Sequence, residues 1–176
     1  TDAVTITSNT TAPSVAVAPT SGTLTCATTS ITLTASGADS YSWSGGGTGT
    51  SKSVTTANTY TVTGTSSSNG CTATASSVIG INTTAPTAGI TNNTGSTELT
   101  CARTSISVTA TGGTAYSWSN GSSVVSTTAD LTITTAGTYT VTVTGSNGCT
   151  ATDAVTITSN TTAPSVAVAP TSGTLT

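Results

Sequence analysis

Histidine, phenylalanine, methionine and glutamine are absent from the 176 residues, and only two residues are basic and five acidic. Each absence removes a class of chemistry. Without histidine, a serine or cysteine nucleophile has no ordinary general base. With no CxxC pair either, the usual zinc donor sets are not spelled out. The acids (Asp2, Asp39, Glu98, Asp130 and Asp153) are scattered. They form neither two carboxyls flanking one bond nor a DxDxDG calcium loop. The glycine-rich runs SGGGTG and TGGT lack the GK[ST] and the following helix of a phosphate loop. Glutamine, needed for thioester and ester cross-links, is missing, and Lys52 has no equivalent later in the chain, so a repeated isopeptide is not expected. The expectation is therefore no enzyme, no metal and no cofactor. Scarce Lys and Arg and a pI near 4.1 argue against nucleic acid or anionic membrane as partner. No run approaches the roughly 18–20 apolar residues of a membrane span, so no direct membrane insertion is expected. No signal peptide is present, as would hold for any window cut from the middle of a longer protein.

What is present is threonine, close to a third of all residues, beside only 34% hydrophobic residues. That is below the globular norm of roughly 45–50%. Disorder would also want high net charge and few β-branched residues, whereas net charge is -3 and Val, Ile and Thr dominate. β-Branched side chains suit a pleated surface. Thin β domains follow.

Repetition organises them. Residues 1–25, TDAVTITSNTTAPSVAVAPTSGTLT, recur letter for letter as residues 152–176, so the sequence closes on itself after 151 residues. Within that period, LTCATTSITLTASGADSYSWS (24–44) aligns with LTCARTSISVTATGGTAYSWS (99–119), which gives a sub-repeat of about 75 residues. The expected organisation is residues 1–9 as the last strand of a preceding repeat, domains at 10–82 and 83–160, and 161–176 opening the next repeat. The chain reads as a cut through a tandem array. Subunits exchanging their duplicated end strands are the alternative assembly.

Period-two alternation (ITLTA, YSWS, YTVTVTG, AVTIT) marks strands near 14–18, 30–36, 40–44, 51–55, 58–65 and 71–81. In the second domain they fall near 88–92, 105–111, 115–119, 129–134, 137–145 and 149–159. Turn clusters separate them. About seven short strands per domain predict a Greek-key β-sandwich. The expected inward face is Ile31, Leu33, Tyr41, Trp43, Tyr60, Val62, Val78 and Ile79 or Ile81. In the second domain it is Ile106, Val108, Tyr116, Trp118, Leu131, Ile133, Tyr139, Val141, Val155 and Ile157. Trp43 and Trp118 stand where an immunoglobulin sandwich buries its tryptophan, and Tyr60 and Tyr139 where a tyrosine corner would be. A YxW glycan-stacking platform is the weaker alternative.

Domains of this size sit near the limit of one hydrophobic core and usually carry staples. The candidates are Cys26, Cys71, Cys101 and Cys149, which allow three connectivities. Each sub-repeat holds one cysteine before its second strand and one in SNGCTAT, which favours the within-domain pairs Cys26–Cys71 and Cys101–Cys149. Persistent disulfides imply an extracellular setting.

The pattern LTC, TSIxLTASG, YSWSGG, TYTVTVTGSNGCTATxxVTI resembles the Ig-like and PKD-like tandem repeats of giant secreted surface proteins and adhesins of Bacteroidota. The four cysteines, the YxW strands and the TYTVT strands match that family's positions over essentially the whole chain. SGGG and SNGS replace the acidic PKD turn after the tryptophan, so the Ig-like branch is the nearer. The resemblance implies all-β tandem Ig-like sandwiches serving as stalks and spacers. The function expected is thus a structural repeat of a bacterial cell-surface filament or adhesin stalk, with a carbohydrate- or surface-binding module as the alternative. The partners expected are adjacent repeats of the same chain or filament and lateral copies.

Asn82-Thr83-Thr84-Ala85-Pro86 and Asn160-Thr161-Thr162-Ala163-Pro164 form short joints without a Gly/Ser linker. Proline fixes φ and holds its predecessor extended, so a semi-rigid rod advancing on the order of 70–80 Å per period is expected. Asn9, Asn82, Asn92, Asn120 and Asn160 open N-x-[ST] triplets, candidate glycosylation sites. Threonine faces raise ice binding, but on a twisted sandwich they are better read as solvated strand faces.

Overall fold

The computed structural model describes residues 2–166; residues 167–176, where the next repeat is expected to continue, lie outside the described part. The chain divides into two compact units, Thr1–Ala85 with Ser146–Cys149, and Pro86–Gly145 with Thr150–Thr176.

Among the described residues the first unit holds β1 (Ala16–Ala18), β2 (Ser21–Thr25), β3 (Ile31–Ser36), β4 (Ser40–Trp43), β5 (Ser51–Val54), β6 (Asn58–Thr65) and β7 (Thr72–Asn82). They form sheets ordered β1-β3-β5 and β2-β7-β6-β4. The second holds β8 (Gly89–Asn92), β9 (Glu98–Thr100), β10 (Ile106–Thr111), β11 (Ala115–Ser119), β12 (Val124–Ser126), β13 (Asp130–Ile133), β14 (Gly137–Thr144) and β15 (Thr150–Asn160). Its sheets run β8-β10-β13 and β12-β11-β14-β15-β9. In both, the first, second and fifth strands of an immunoglobulin sandwich face the third, sixth and seventh. The protein is all-β, and each unit is an Ig-like Greek-key sandwich. The initial strand is split: β1 joins one sheet, and β2 crosses to pair parallel with β7, Ser21 opposite Val78 through Thr25 opposite Asn82. β9 pairs parallel with β15 in the same way, Thr100 opposite Asn160.

Alternation sets the core. Leu33, Trp43, Val62 and Ile79 are buried in the first unit, and Ile106, Val108, Trp118, Ile133, Val141 and Ile157 in the second. Ile31 packs partly buried against the first core, as Tyr116, Leu131 and Val155 do against the second. The indole N–H groups donate to backbone, Trp43 to Gly49 O at 2.9 Å and Trp118 to Thr128 O at 3.2 Å. Tyrosine corners close both sixth strands: Tyr60 Oη donates to Thr56 O at 3.0 Å, and Tyr139 Oη to Thr135 O at 3.1 Å.

Two expectations need correction. Val78 is 57% exposed, and of the alternatives Ile79 and Ile81 it is Ile79 that is buried, Ile81 being 58% exposed. The run SSVIGI puts two apolar residues side by side, so alternation alone cannot choose a face. The ladder chooses: Tyr60 lies opposite Ser77 and Asn58 opposite Ile79. Ser77 therefore enters the core, where its hydroxyl has no hydrogen-bond partner. β2, β9 and β12, short and flanked by turn residues, were not expected from periodicity.

Gly37 and Gly112 explain the tight entry to the third strands. Their φ values are +90 and +97, and a Cβ at either would lie 1.8 Å from the carbonyl oxygen of Ser14 or Thr87. The units then diverge by a compensated exchange. A Cβ on Gly64 would meet Val15 Cγ2 at 2.5 Å and Ala38 Cβ at 2.7 Å. The second unit has Val143 at the Gly64 position, with Ala88 and Gly113 replacing Val15 and Ala38. Volume removed from two walls is filled from the third.

Asp39, just before β4, orders the SSSNG turn. Its carboxylate accepts Ser67 N–H at 2.7 Å and the Ser67 hydroxyl at 2.9 Å. The backbone bond first, and the hydroxyl second, hold its pKa below the usual carboxylate value.

Gly64→Val should cost about 1–3 kcal/mol in denaturant unfolding. Adding Val15→Ala and Ala38→Gly should return most of that loss; a triple variant no more stable than the single one would show that the exchange is not compensatory. For Asp39 the lowered pKa stabilises the fold above the unfolded value near about 3.9 and loses that contribution as pH falls through the folded value. The Ser67 amide NMR signal should therefore shift with a midpoint below about 3.9, and Asp39→Asn should abolish the step. A midpoint at or above that value would contradict the assignment.

Candidate functional site

The site is built by the turns that open the two longest strands. In Ser146-Asn147-Gly148-Cys149, Asn147 Oδ1 accepts Cys149 N–H at 3.1 Å, and Gly148 takes a φ of +75. Asn69 and Gly70 repeat this before Cys71, with a bond of 3.0 Å and a φ of +72. Once Oδ1 closes the turn, the amide nitrogen points outward as a double donor.

Asn147 Nδ2 donates to Thr84 O at 2.9 Å, Asn82 Oδ1 at 3.2 Å and Asn82 O at 3.3 Å. Ala27 N–H donates to Asn147 O at 3.3 Å. Gly148 lies so close to Ala27 that a Cβ would sit 2.6 Å from the Ala27 Cβ. The segment Ser146–Cys149 accordingly belongs to the first compact unit, although it joins β14 to β15 of the second. At its end Cys149, buried at 3% exposure, forms a disulfide with Cys26 across a Cα–Cα distance of 5.0 Å.

This corrects the expected pairing. The structure pairs Cys26 with Cys149, 123 residues apart, and leaves Cys71 and Cys101 as thiols. The reason is the parallel pairing of β2 with β7. Cys26 follows Thr25, which lies opposite Asn82 at the end of β7, whereas Cys71 precedes Thr72 at its start. Eleven residues of strand separate those ends by about 35 Å, and a disulfide spans Cα atoms no more than about 7 Å apart. β9 and β15 set Cys101 and Cys149 apart in the same way. Two cysteines of one sub-repeat cannot meet.

Asn82, singled out as a sequon, is thus an acceptor in this clasp. Asn9 plays the same part for Asn69, whose Nδ2 donates to Asn9 Oδ1 at 3.2 Å and Thr11 O at 2.9 Å. Asn92 and Asn120 accept backbone N–H groups in their own turns, and Asn160 ends β15. Asn69, Asn147, Gly148 and Ala27 were not singled out from the sequence. The recurrence of SNGC beside NTTAP was the available signal. No group of three or more potential metal ligands lies together among the described residues.

The arrangement holds two chain segments together through neutral hydrogen bonds and a covalent bond. No protein-family model and no curated protein sequence matches the chain. Solved structures do. Three N-terminal domains of the highly immunogenic outer capsid protein of bacteriophage RB49 are 22% identical at a TM-score of 0.45, with 84% of this chain covered. The chain spans 59% of the length of that solved three-domain fragment. A structure from a 1.5-MDa bacterial ice-binding adhesin, described for host cell surface retention, is 18% identical at a TM-score of 0.47, covering 88% of this chain and 67% of the other. An amphioxus IgVJ-C2 molecule is 17% identical at a TM-score of 0.37, covering 73% and 96%.

Proposed function

We propose that this chain is a structural repeat of an extracellular bacterial surface filament or adhesin stalk, acting as a semi-rigid spacer. The observation that carries the reading is the bond between Cys26 of repeat 10–82 and Cys149 of repeat 83–160. A link between consecutive repeats adds nothing to a catalytic or binding pocket, but it limits extension. Tension entering at one end reaches Cys26, crosses the disulfide and leaves at Cys149, so residues 27–148 carry no load until the bond is broken.

The exterior suits a spacer. Both tryptophans are buried, so the aromatic side chains that would make a glycan platform serve the cores instead. The outer face of the β6–β7 and β14–β15 ladders is hydroxyl-rich, with Thr61 bonded to Ser76 at 2.9 Å and Thr138 to Thr156 at 3.1 Å. Such a face is well hydrated and carries little charge. Sugars at the exposed sequons Asn120 and Asn160, and lateral association of copies, would add bulk without changing the load path. A persistent disulfide supports a working compartment outside the reducing cytoplasm.

Immunolabelling of intact cells that make the chain should decorate surface filaments; labelling confined to the cell interior would overturn the reading. In single-molecule pulling from the two ends, the oxidised chain should keep residues 27–148 hidden, and reductant should release about 400 Å more. Full release without reductant would show that the bond is not the mechanical stop. Asn147→Ala removes the Nδ2 donor bonds to the NTT segment and should make the Cys26–Cys149 bond easier to reduce, by about 1–3 kcal/mol in a thiol-exchange titration. An unchanged midpoint would mean that the clasp does not support the bond.

A further inference from the structure

Two thiols remain, and each stands in half of the site just described. Cys101 follows β9 as Cys26 follows β2. The cradle is the same in both: Thr25 N–H donates to Thr28 O at 2.9 Å and Thr100 N–H to Arg103 O at 2.8 Å. The threonine hydroxyl oxygen accepts in return, from Thr28 N–H at 2.9 Å and Arg103 N–H at 3.0 Å. Cys101 is exposed and its Sγ lies 3.7 Å from Thr161 O, against the NTTAP segment that follows β15. Beside it a cavity of about 400 Å³ is lined by Leu99, Thr100, Thr104 and Thr161.

Cys71 presents the other half. Asn69 already grips Asn9 and Thr11 as Asn147 grips Asn82 and Thr84. What the two turns do not share is the cysteine-bearing strand end. Gly148 is pressed on Ala27, whereas a Cβ on Gly70 would meet nothing within 4 Å. Next to Gly70 a cavity of about 510 Å³ is lined by Asn9, Asp39, Ser68 and Asn69. The sequence names the missing piece. Asn9-Thr10-Thr11 is identical to Asn160-Thr161-Thr162, the segment that Cys101 lies against, and Ala102 follows Cys101 as Ala27 follows Cys26.

We propose that Cys71 and Cys101 are the two halves of a second inter-repeat disulfide, made with neighbouring copies of this same repeat. Cys101 bonds the Cys71 position of the copy that follows, and Cys71 bonds the Cys101 position of the copy that precedes. Two thiols lose two protons and two electrons to form the S–S bond, and a small-molecule or protein disulfide accepts them and becomes two thiols. The inference rests on the reading of the chain as one period of an array, and it gives that array a disulfide at every sub-repeat step.

The test is a chain carrying the period twice, residues 1–151 followed by the full 1–176, oxidised in a glutathione redox buffer. Thiols are then counted under denaturing conditions with a chromogenic disulfide. Of its eight cysteines, two should titrate, and peptide mapping should recover Cys101 of the first period joined to Cys71 of the second. Four thiols would overturn the proposal. Cys101→Ser in the first period gives a signed control: the count should rise from two to three, whereas a fall from four to three would show that Cys101 was never bonded. Thiol counts read the purified protein and surface labelling reads the cell. A surface-located chain with four thiols defeats only this inference, and a chain with two thiols absent from the surface defeats only the filament reading.

Discussion

The parallel pairing of a short N-terminal strand with the last strand of its own sandwich is the constraint on which the rest depends. β2 joins the far end of β7, and β9 the far end of β15. Because each last strand is eleven residues long, the cysteine after the short strand and the cysteine before the long one are driven to opposite ends. A staple inside the sub-repeat is thereby excluded, and the bond must run between repeats. Small sandwiches usually spend their disulfide on their own core. Here the cores close without it, through buried tryptophans and tyrosine corners. Cys26 and Cys149 are left to bond to each other across the sub-repeats.

Much of this was legible in the residues. Strict alternation around YSW and TYTV fixed the long strands, and one tryptophan per sub-repeat at a constant position identified the core. The pairing of cysteines was not legible, because it depends on β2 and β9. Those strands read as loop: SGTLT and ELT are too short for a periodic signal and lie between turn residues. Without them the two cysteines of a sub-repeat look like natural partners. Val78 was misplaced for a related reason. A serine among SSVIGI carries no apolar signal, yet the ladder places it opposite Tyr60 and so inside.

Duplication has left the two sandwiches unequal in packing but alike at their ends. The interior exchanged Val15, Ala38 and Gly64 for Ala88, Gly113 and Val143, a drift that conserves volume and leaves the backbone in place. The elements of the clasp did not drift. Asn-Gly-Cys, Asn-Thr-Thr-Ala-Pro and Leu-Thr-Cys-Ala stand in both sub-repeats. Cores can be refilled independently, since each need only match itself. An inter-repeat contact must match the next copy, so its two halves are tied to one another.

That coupling has a mechanical consequence in an array. Cys149 and the next period's equivalent of Cys26, 151 residues beyond Cys26, are about 28 residues apart along the chain. With only the Cys26–Cys149 type of bond, each 151-residue period could lengthen by no more than about 100 Å of extended chain before covalent bonds bore the load. A Cys101–Cys71 series, offset by one sub-repeat, would run beside it as a second route. Its closed loops overlap those of the first, so reducing one bond would transfer tension to the other instead of freeing a whole period. Each sandwich would then need only to keep its turn seated against the preceding repeat, a task for Asn69 or Asn147 and a glycine. A low-hydrophobicity, threonine-built domain can meet that demand without a large core.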